Sequence, residues 1–88
     1  MIRYTVTWHH SALAKLADLW MESLDRRRLS LAADRIDSLL RVNAGTQGTA
    51  ESQTTRKLVV YPLAALFRLR EEDRIVEVID VKIDTSQV

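Results

Sequence analysis

The chain has 88 residues, 47% of them hydrophobic and 28% charged, and no cysteine. That is enough for one modest core with a radius of gyration of roughly 12 Å, and too little for two domains around a deep cofactor cleft. Without cysteine, disulfide scaffolds, thiolate metal sites and thiol catalysis are excluded; thirteen basic against twelve acidic residues leave a net charge of +1, too balanced to announce a nucleic-acid binder by bulk charge, although a local basic patch stays open.

Residues 2–8 alternate. Ile2, Tyr4, Val6 and Trp8 fall on one face and Arg3, Thr5 and Thr7 on the other, which predicts a half-buried strand. This opening segment lacks the apolar stretch of a signal peptide, and no run reaches the ~18–20 apolar residues of a membrane span. A soluble cytoplasmic protein with no membrane association is expected. His9, His10 and Ser11 break the alternation, and Ser11 is the expected cap of a helix.

From Leu13 the period becomes helical. Leu13, Leu16, Ala17, Trp20 and Leu24 form one stripe, expected to pack into the core. Residues 23–28 link to a second helix, which Asp25 can cap. Its stripe is Leu29, Ala32, Ala33, Ile36, Leu39 and Leu40. Asp37 and Arg41, acid first at i,i+4, add ~0.2–0.5 kcal/mol. Asn43, Ala44 and Gly45 supply a stop. Residues 44–55 hold both glycines and almost no large apolar group, so they read as a solvated loop.

The remainder predicts strands. An apolar run from Lys57 to Tyr61 is interrupted by Pro62, which marks a turn, bulge or edge. Leu63, Ala65, Phe67 and Leu69 then share one face, leaving Ala64, Leu66, Arg68 and Arg70 opposite. Glu71, Glu72 and Asp73 make a polar hairpin tip. In the last strand, Ile75, Ile79, Val81 and Ile83 share a face broken by Glu77, with Val76, Val78, Asp80 and Lys82 opposite; the tail DTSQV is short and polar. The expected fold is α+β, a two-layer β-α-α-β-β-β arrangement in a single domain spanning residues 1–88, with two helices covering one face of a sheet.

These residues, taken together, resemble the RelE/ParE superfamily of small toxins from type II toxin–antitoxin pairs. The carriers are the YTVTW strand, the helix with LADLW, the AADRIDSLL helix, and the loop with Gly48, Glu51 and Ser52. The run from Arg56 to Val60, Pro62-Leu63, Leu66 to Leu69 and Glu72 to Val76 complete the set. The resemblance covers Tyr4 to about Ile83. It implies two helices packed on one face of a mainly antiparallel sheet, with the first strand beside the last. It also implies a cognate antitoxin that holds the toxin inactive. RelE-like members cut mRNA in the ribosome; ParE-like members poison DNA gyrase without known hydrolytic chemistry.

RNA cleavage needs a base for the 2′-hydroxyl, an acid for the leaving oxygen and cations for the phosphorane. Lys57 matches a basic position of the RelE-like enzymes and Arg56 is close by, with Arg68 as a further candidate. The usual strand arginine falls on Ala64, and no His or Tyr follows Val81-Lys82-Ile83-Asp84. The missing acid–base pair favours the ParE-like branch, a toxin that binds its target rather than an enzyme. The alternatives are a RelE-like mRNA endonuclease and a non-toxic relative that only binds a partner.

Arg56, Lys57, Arg68 and Arg70 are the expected target or antitoxin contacts, as a patch on the outer sheet face and its edge. The plainer reading is a solvated face paired with Glu71, Glu72 and Asp80. Arg26, Arg27 and Arg28 oppose the dipole of the helix they open, so they read either as a partner contact or as a solvated turn tamed by Asp25. Leu31 and Val42 lie off the main stripe and offer an apolar edge to an antitoxin helix or a self-dimer; single exposed apolar residues are also ordinary. His9 and His10 read as turn or capping residues, and Trp8 and Trp20 as core. No metal or cofactor is expected: no metal-ligand spacing and no phosphate loop is present.

Overall fold

In the computed structural model, residues 3–42 and 44–84 are described. Ile2, Asn43 and the tail beyond Asp84 lie outside the described residues. The elements run β1 (Thr5–Trp8), α1 (His10–Glu22), α2 (Arg26–Arg41), a 3-10 turn (Ala44–Thr46), β2 (Thr49–Ala50), β3 (Arg56–Val60), β4 (Leu63–Arg70) and β5 (Ile75–Ile83). The sheet order is β1-β5-β4-β3-β2. β1 runs parallel to β5, with Thr5 opposite Ile75, and the other three ladders are antiparallel. The first strand therefore lies beside the last, and the α+β architecture is as the sequence predicts. The Cα radius of gyration is 12.5 Å.

Both helices cover the same face of the sheet, α1 against β5 and α2 over β1, β3 and β4. The alternation through β1 and the residue before it puts Tyr4 and Val6 into the core and leaves Thr5 and Thr7 outside. Asp25 accepts a hydrogen bond from the amide of Arg28 and caps α2, whose Leu29, Ala32, Ile36 and Leu40 are buried. The Asp37–Arg41 pair closes at 2.7 Å. Pro62 sits in the turn between β3 and β4, after a cis peptide bond. Phe67, Leu63, Val76, Val78 and Val81 complete the fully buried set on the sheet side.

Four expectations are corrected. Ser11 lies inside α1; His9 holds the N-cap position, with no side-chain cap. The segment read as loop carries a 3-10 turn with buried Ala44 and the short edge strand β2, which pairs with Arg56 and Lys57. Gly48 allows this approach: its φ is +69° and an added Cβ would fall on the Lys57 carbonyl.

The third correction concerns β5, whose buried face is Val76, Val78 and Val81, while Glu77 belongs to the outer face. A bulge is the reason. Phe67 pairs with Val78 and Leu66 with Asp80, so Ile79 is the extra residue that resets the alternation.

The fourth correction concerns α1, which buries Ala12 and packs Leu16 and Leu19 against the core. Trp20 is 39% exposed and Leu24 fully so. The expected inward stripe is thus largely a surface stripe.

The hairpin tip is tied to β1. The Tyr4 hydroxyl donates to Glu71 Oε1 at 2.5 Å. This bond raises the Tyr4 pKa above its ordinary value of 10.0; burial and the Glu71 charge add to the shift, and Arg74 opposes it. With the folded value raised, the bond contributes fully below the unfolded value. Its contribution is lost as pH climbs from about 10 through the folded value. The stability advantage of the wild type over Tyr4→Phe is therefore expected to be constant from pH 7 to 9 and to shrink above pH 10 in denaturant melts. An advantage that persists unchanged at high pH would show that the hydroxyl is not the stabilising group.

Candidate functional site

The outer face of the sheet carries most of the predicted cations, placed there by strand alternation. Arg68 and Arg70 of β4 point away from the helices and converge on Glu77 of β5, which lies opposite Arg68 in the register. Arg68 Nη2 is 3.0 Å from Glu77 Oε2, and Arg70 Nε is 2.7 Å from Oε1. His9 Nε2 lies 3.3 Å from the same Oε2. The Glu77 side chain is only 12% exposed, so one sheltered carboxylate holds three nitrogen groups.

Lys57 faces outward and pairs with Glu51 at 3.5 Å. Arg56 is half-buried and bonded into the fold: its Nε donates to the Gln47 carbonyl and its Nη2 to the Gly48 carbonyl, at 3.0 and 3.1 Å. Arg56, Arg68 and Arg70 nonetheless line one shallow groove with Ser52, Gln53, Thr54 and Thr55. Three of the four predicted cations thus share a groove, while Lys57 is engaged beside it. The carboxylate that Arg68 and Arg70 share is Glu77, whereas Glu71 bonds Tyr4 and Asp80 pairs with Lys15 at 3.1 Å.

The arginine triplet divides its labour. Arg26 donates to the carbonyls of Trp20 and Met21 and stacks 4.6 Å from the Trp20 ring centre, so it caps α1. Arg28 lies over the Tyr61 ring at 5.4 Å and links α2 to the β3–β4 turn. Arg27 is exposed. Leu31 is 57% exposed on α2, while Val42 is half-buried and bridges to Arg3.

An apolar opening lies between the helices. A groove of about 540 Å³ is lined by Leu13, Leu16, Ala17, Trp20 and Met21 of α1 and by Leu29, Ser30, Ala33 and Asp34 of α2. A second depression shares Leu13, Leu16, Ala33 and Asp34 and extends it to Trp8 and Asp37. The two form one trough along the helix pair. The Trp20 indole N–H donates to Ser30 Oγ at 3.2 Å, and that of Trp8 to Asp37 Oδ1 at 3.0 Å, which fixes both rings along its length.

Sequence reasoning missed this trough and missed Glu77. A signal existed for each. Eight of the thirteen residues of α1 are Ala, Leu, Trp or Met, more than one face of a surface helix can bury. Glu77 stands alone among β-branched neighbours, where an acid needs a partner. Among the described residues, no cluster of His, Asp or Glu is set to hold a metal, and no helix is long and apolar enough to cross a membrane.

No protein-family model and no curated protein sequence matches the chain. Solved structures do. The toxin–antitoxin complex RelBE2 from Mycobacterium tuberculosis aligns at TM-score 0.79 and 19% identity, covering 98% of this chain and 97% of that one. The chromosomal ParDE toxin–antitoxin system from P. aeruginosa aligns at 0.71 and 16%, covering 92% and 96%. The isolated E. coli RelE toxin aligns at 0.59 and 20%, covering 96% and 88%. The fold is therefore that of the RelE/ParE toxins, and the likeness spans both branches.

Proposed function

We propose that the chain is the toxin of a type II toxin–antitoxin pair and acts in the ParE-like manner, by binding a macromolecular target rather than by cutting RNA. The observation that carries the pairing with an antitoxin is the open apolar trough between α1 and α2, while the ParE-like manner rests on cations bound to counter-ions within the fold rather than standing free. A helix of a cognate antitoxin, with apolar residues at i, i+3, i+4 and i+7, fits such a trough. Leu13 and Met21 are 49% and 66% exposed there, a cost that a monomer with no partner has no reason to carry. The likeness to toxins solved with their antitoxins supports the same partner.

The target follows from the branch: DNA gyrase for a ParE-like protein, the ribosome and mRNA for a RelE-like one. One observation favours the second branch, namely an imidazole, a carboxylate and two guanidinium groups brought together at His9, Glu77, Arg68 and Arg70. Against it, these groups bind one another, and Lys57 and Arg56 are likewise engaged.

Inducible expression in a bacterial host tests the reading. Growth arrest by the chain alone, with rescue by the product of the neighbouring gene and a stable complex of the two, is expected. Complex formation without growth arrest would leave a non-toxic binding relative. Neither arrest nor complex would remove the proposal. Message cleavage in a translation extract would replace the ParE-like reading with the RelE-like one.

A further inference from the structure

Lys57, Arg68 and Arg70 on the outer face are cations that other macromolecules would seek, and Arg56 stands at the end of the sheet on the opposite face, across from Phe67; each of the four has a partner inside the fold. Lys57 has Glu51 and Arg56 has two loop carbonyls. Arg68 and Arg70 share Glu77. The last arrangement differs in kind from the others. Glu51 is 43% exposed at its side chain and Glu77 only 12%, so Glu77 is a sheltered anion set behind the two guanidinium groups.

The groove in front of them is lined by no carboxylate. Its polar lining is Arg56, Arg68 and Arg70 together with Ser52, Gln53, Thr54 and Thr55, around about 380 Å³. Guanidinium forks and hydroxyl groups around an open space are the donors that a phosphodiester needs. Arg70 spends its Nε on Glu77, and Arg68 one Nη2 hydrogen. The geometry is therefore that of a phosphate seat whose charge is drawn back by an anion already in place.

We propose that Glu77 is a specificity-determining residue: an internal counter-ion that holds Arg68 and Arg70 against the sheet and keeps nucleic-acid phosphates out of this groove. The inference rests on the reading that the chain acts on a protein rather than on RNA. It predicts that a face with this many cations stays free of non-specific nucleic acid, which attracts exposed basic patches without regard to sequence. A glutamine at position 77 keeps the shape and one acceptor oxygen but removes the charge. Both guanidinium groups then become available to a strand.

The test is fluorescence anisotropy of a labelled 12-residue oligouridylate with the full chain, at 50 and 200 mM salt and 10 °C, with circular dichroism confirming the fold of each variant. The wild type is expected to bind weakly. Glu77→Gln should bind about tenfold or more tightly, with a salt slope steeper by roughly 0.7–1.4 for one or two added phosphate contacts. Glu77→Gln combined with Arg68→Ala and Arg70→Ala should return to the wild-type level. Equal binding by wild type and Glu77→Gln would overturn the proposal. So would a gain that survives loss of both arginines. If Glu77→Gln does not fold, Glu77→Ala supplies the same comparison. If neither folds, the carboxylate is a structural requirement of the sheet and the proposal fails. Growth arrest is read separately, so loss of the toxin reading and loss of this one are distinguishable.

Discussion

Replacing Phe67 by alanine is expected to lower the stability of the fold by ~3–5 kcal/mol, from lost burial and the cavity left behind. The ring is completely buried, and its strand pairs with Arg56 on one side and Val78 on the other. A chain of this size has a stability of about 4–13 kcal/mol, so the change removes a large share of it. The melting temperature should fall by roughly 15–30 °C. Thermal denaturation followed by circular dichroism checks this. A drop of only a few degrees would mean that the sheet collapses around the cavity, and that the core is softer than its packing indicates.

Trp20→Ala separates the trough from the core. This indole is 39% exposed, and its polar and stacking contacts are one hydrogen bond to Ser30 and the Arg26 stack. Its loss should cost the free protein only ~1–2 kcal/mol, since a cation–π contact at an exposed site contributes ~0.5–1 kcal/mol. With an antitoxin helix seated as proposed, the effect on the complex is much larger. A tryptophan lining the trough proposed to receive a partner helix is the kind of residue whose truncation costs ~2–4 kcal/mol of affinity, a loss of roughly 30- to 1000-fold. Titration calorimetry against the purified partner measures this, with the melting curve as the control. An unchanged affinity would move the partner off the trough. A melting temperature as low as that of Phe67→Ala would restore Trp20 to the core.

The contrast between these two aromatic residues marks how far the fold was legible. Elements whose apolar residues occupy one face were read correctly: β1 with Tyr4 and Val6, α2 with Leu29, Ile36 and Leu40, and β4 with Phe67. The Asp25 cap and the turn at Pro62 were legible because each rests on local chemistry. Periodicity failed where it was degenerate or interrupted. α1 is apolar on two faces, and nothing within the helix says which one meets the sheet. In β5 the extra residue Ile79 shifts the alternation, and a bulge leaves no mark in a run of β-branched residues. The candidate site was legible in part. Arg68 and Arg70 fall on the outer face by alternation alone. Their pairing with Glu77 depends on cross-strand register, which is set by the whole sheet.

The parallel pairing of Thr5–Trp8 with the first half of β5 reaches into how the molecule is made. During synthesis β1 emerges early and has no neighbour in the sheet until Ile75–Val78 has been translated. Closure must bridge almost the entire chain, the kind of distant contact that slows folding. A nascent copy therefore cannot complete its sheet until β5 clears the ribosome, and a message truncated ahead of that strand yields only a helical hairpin and the β2–β3–β4 strands, without the strand that joins them to β1.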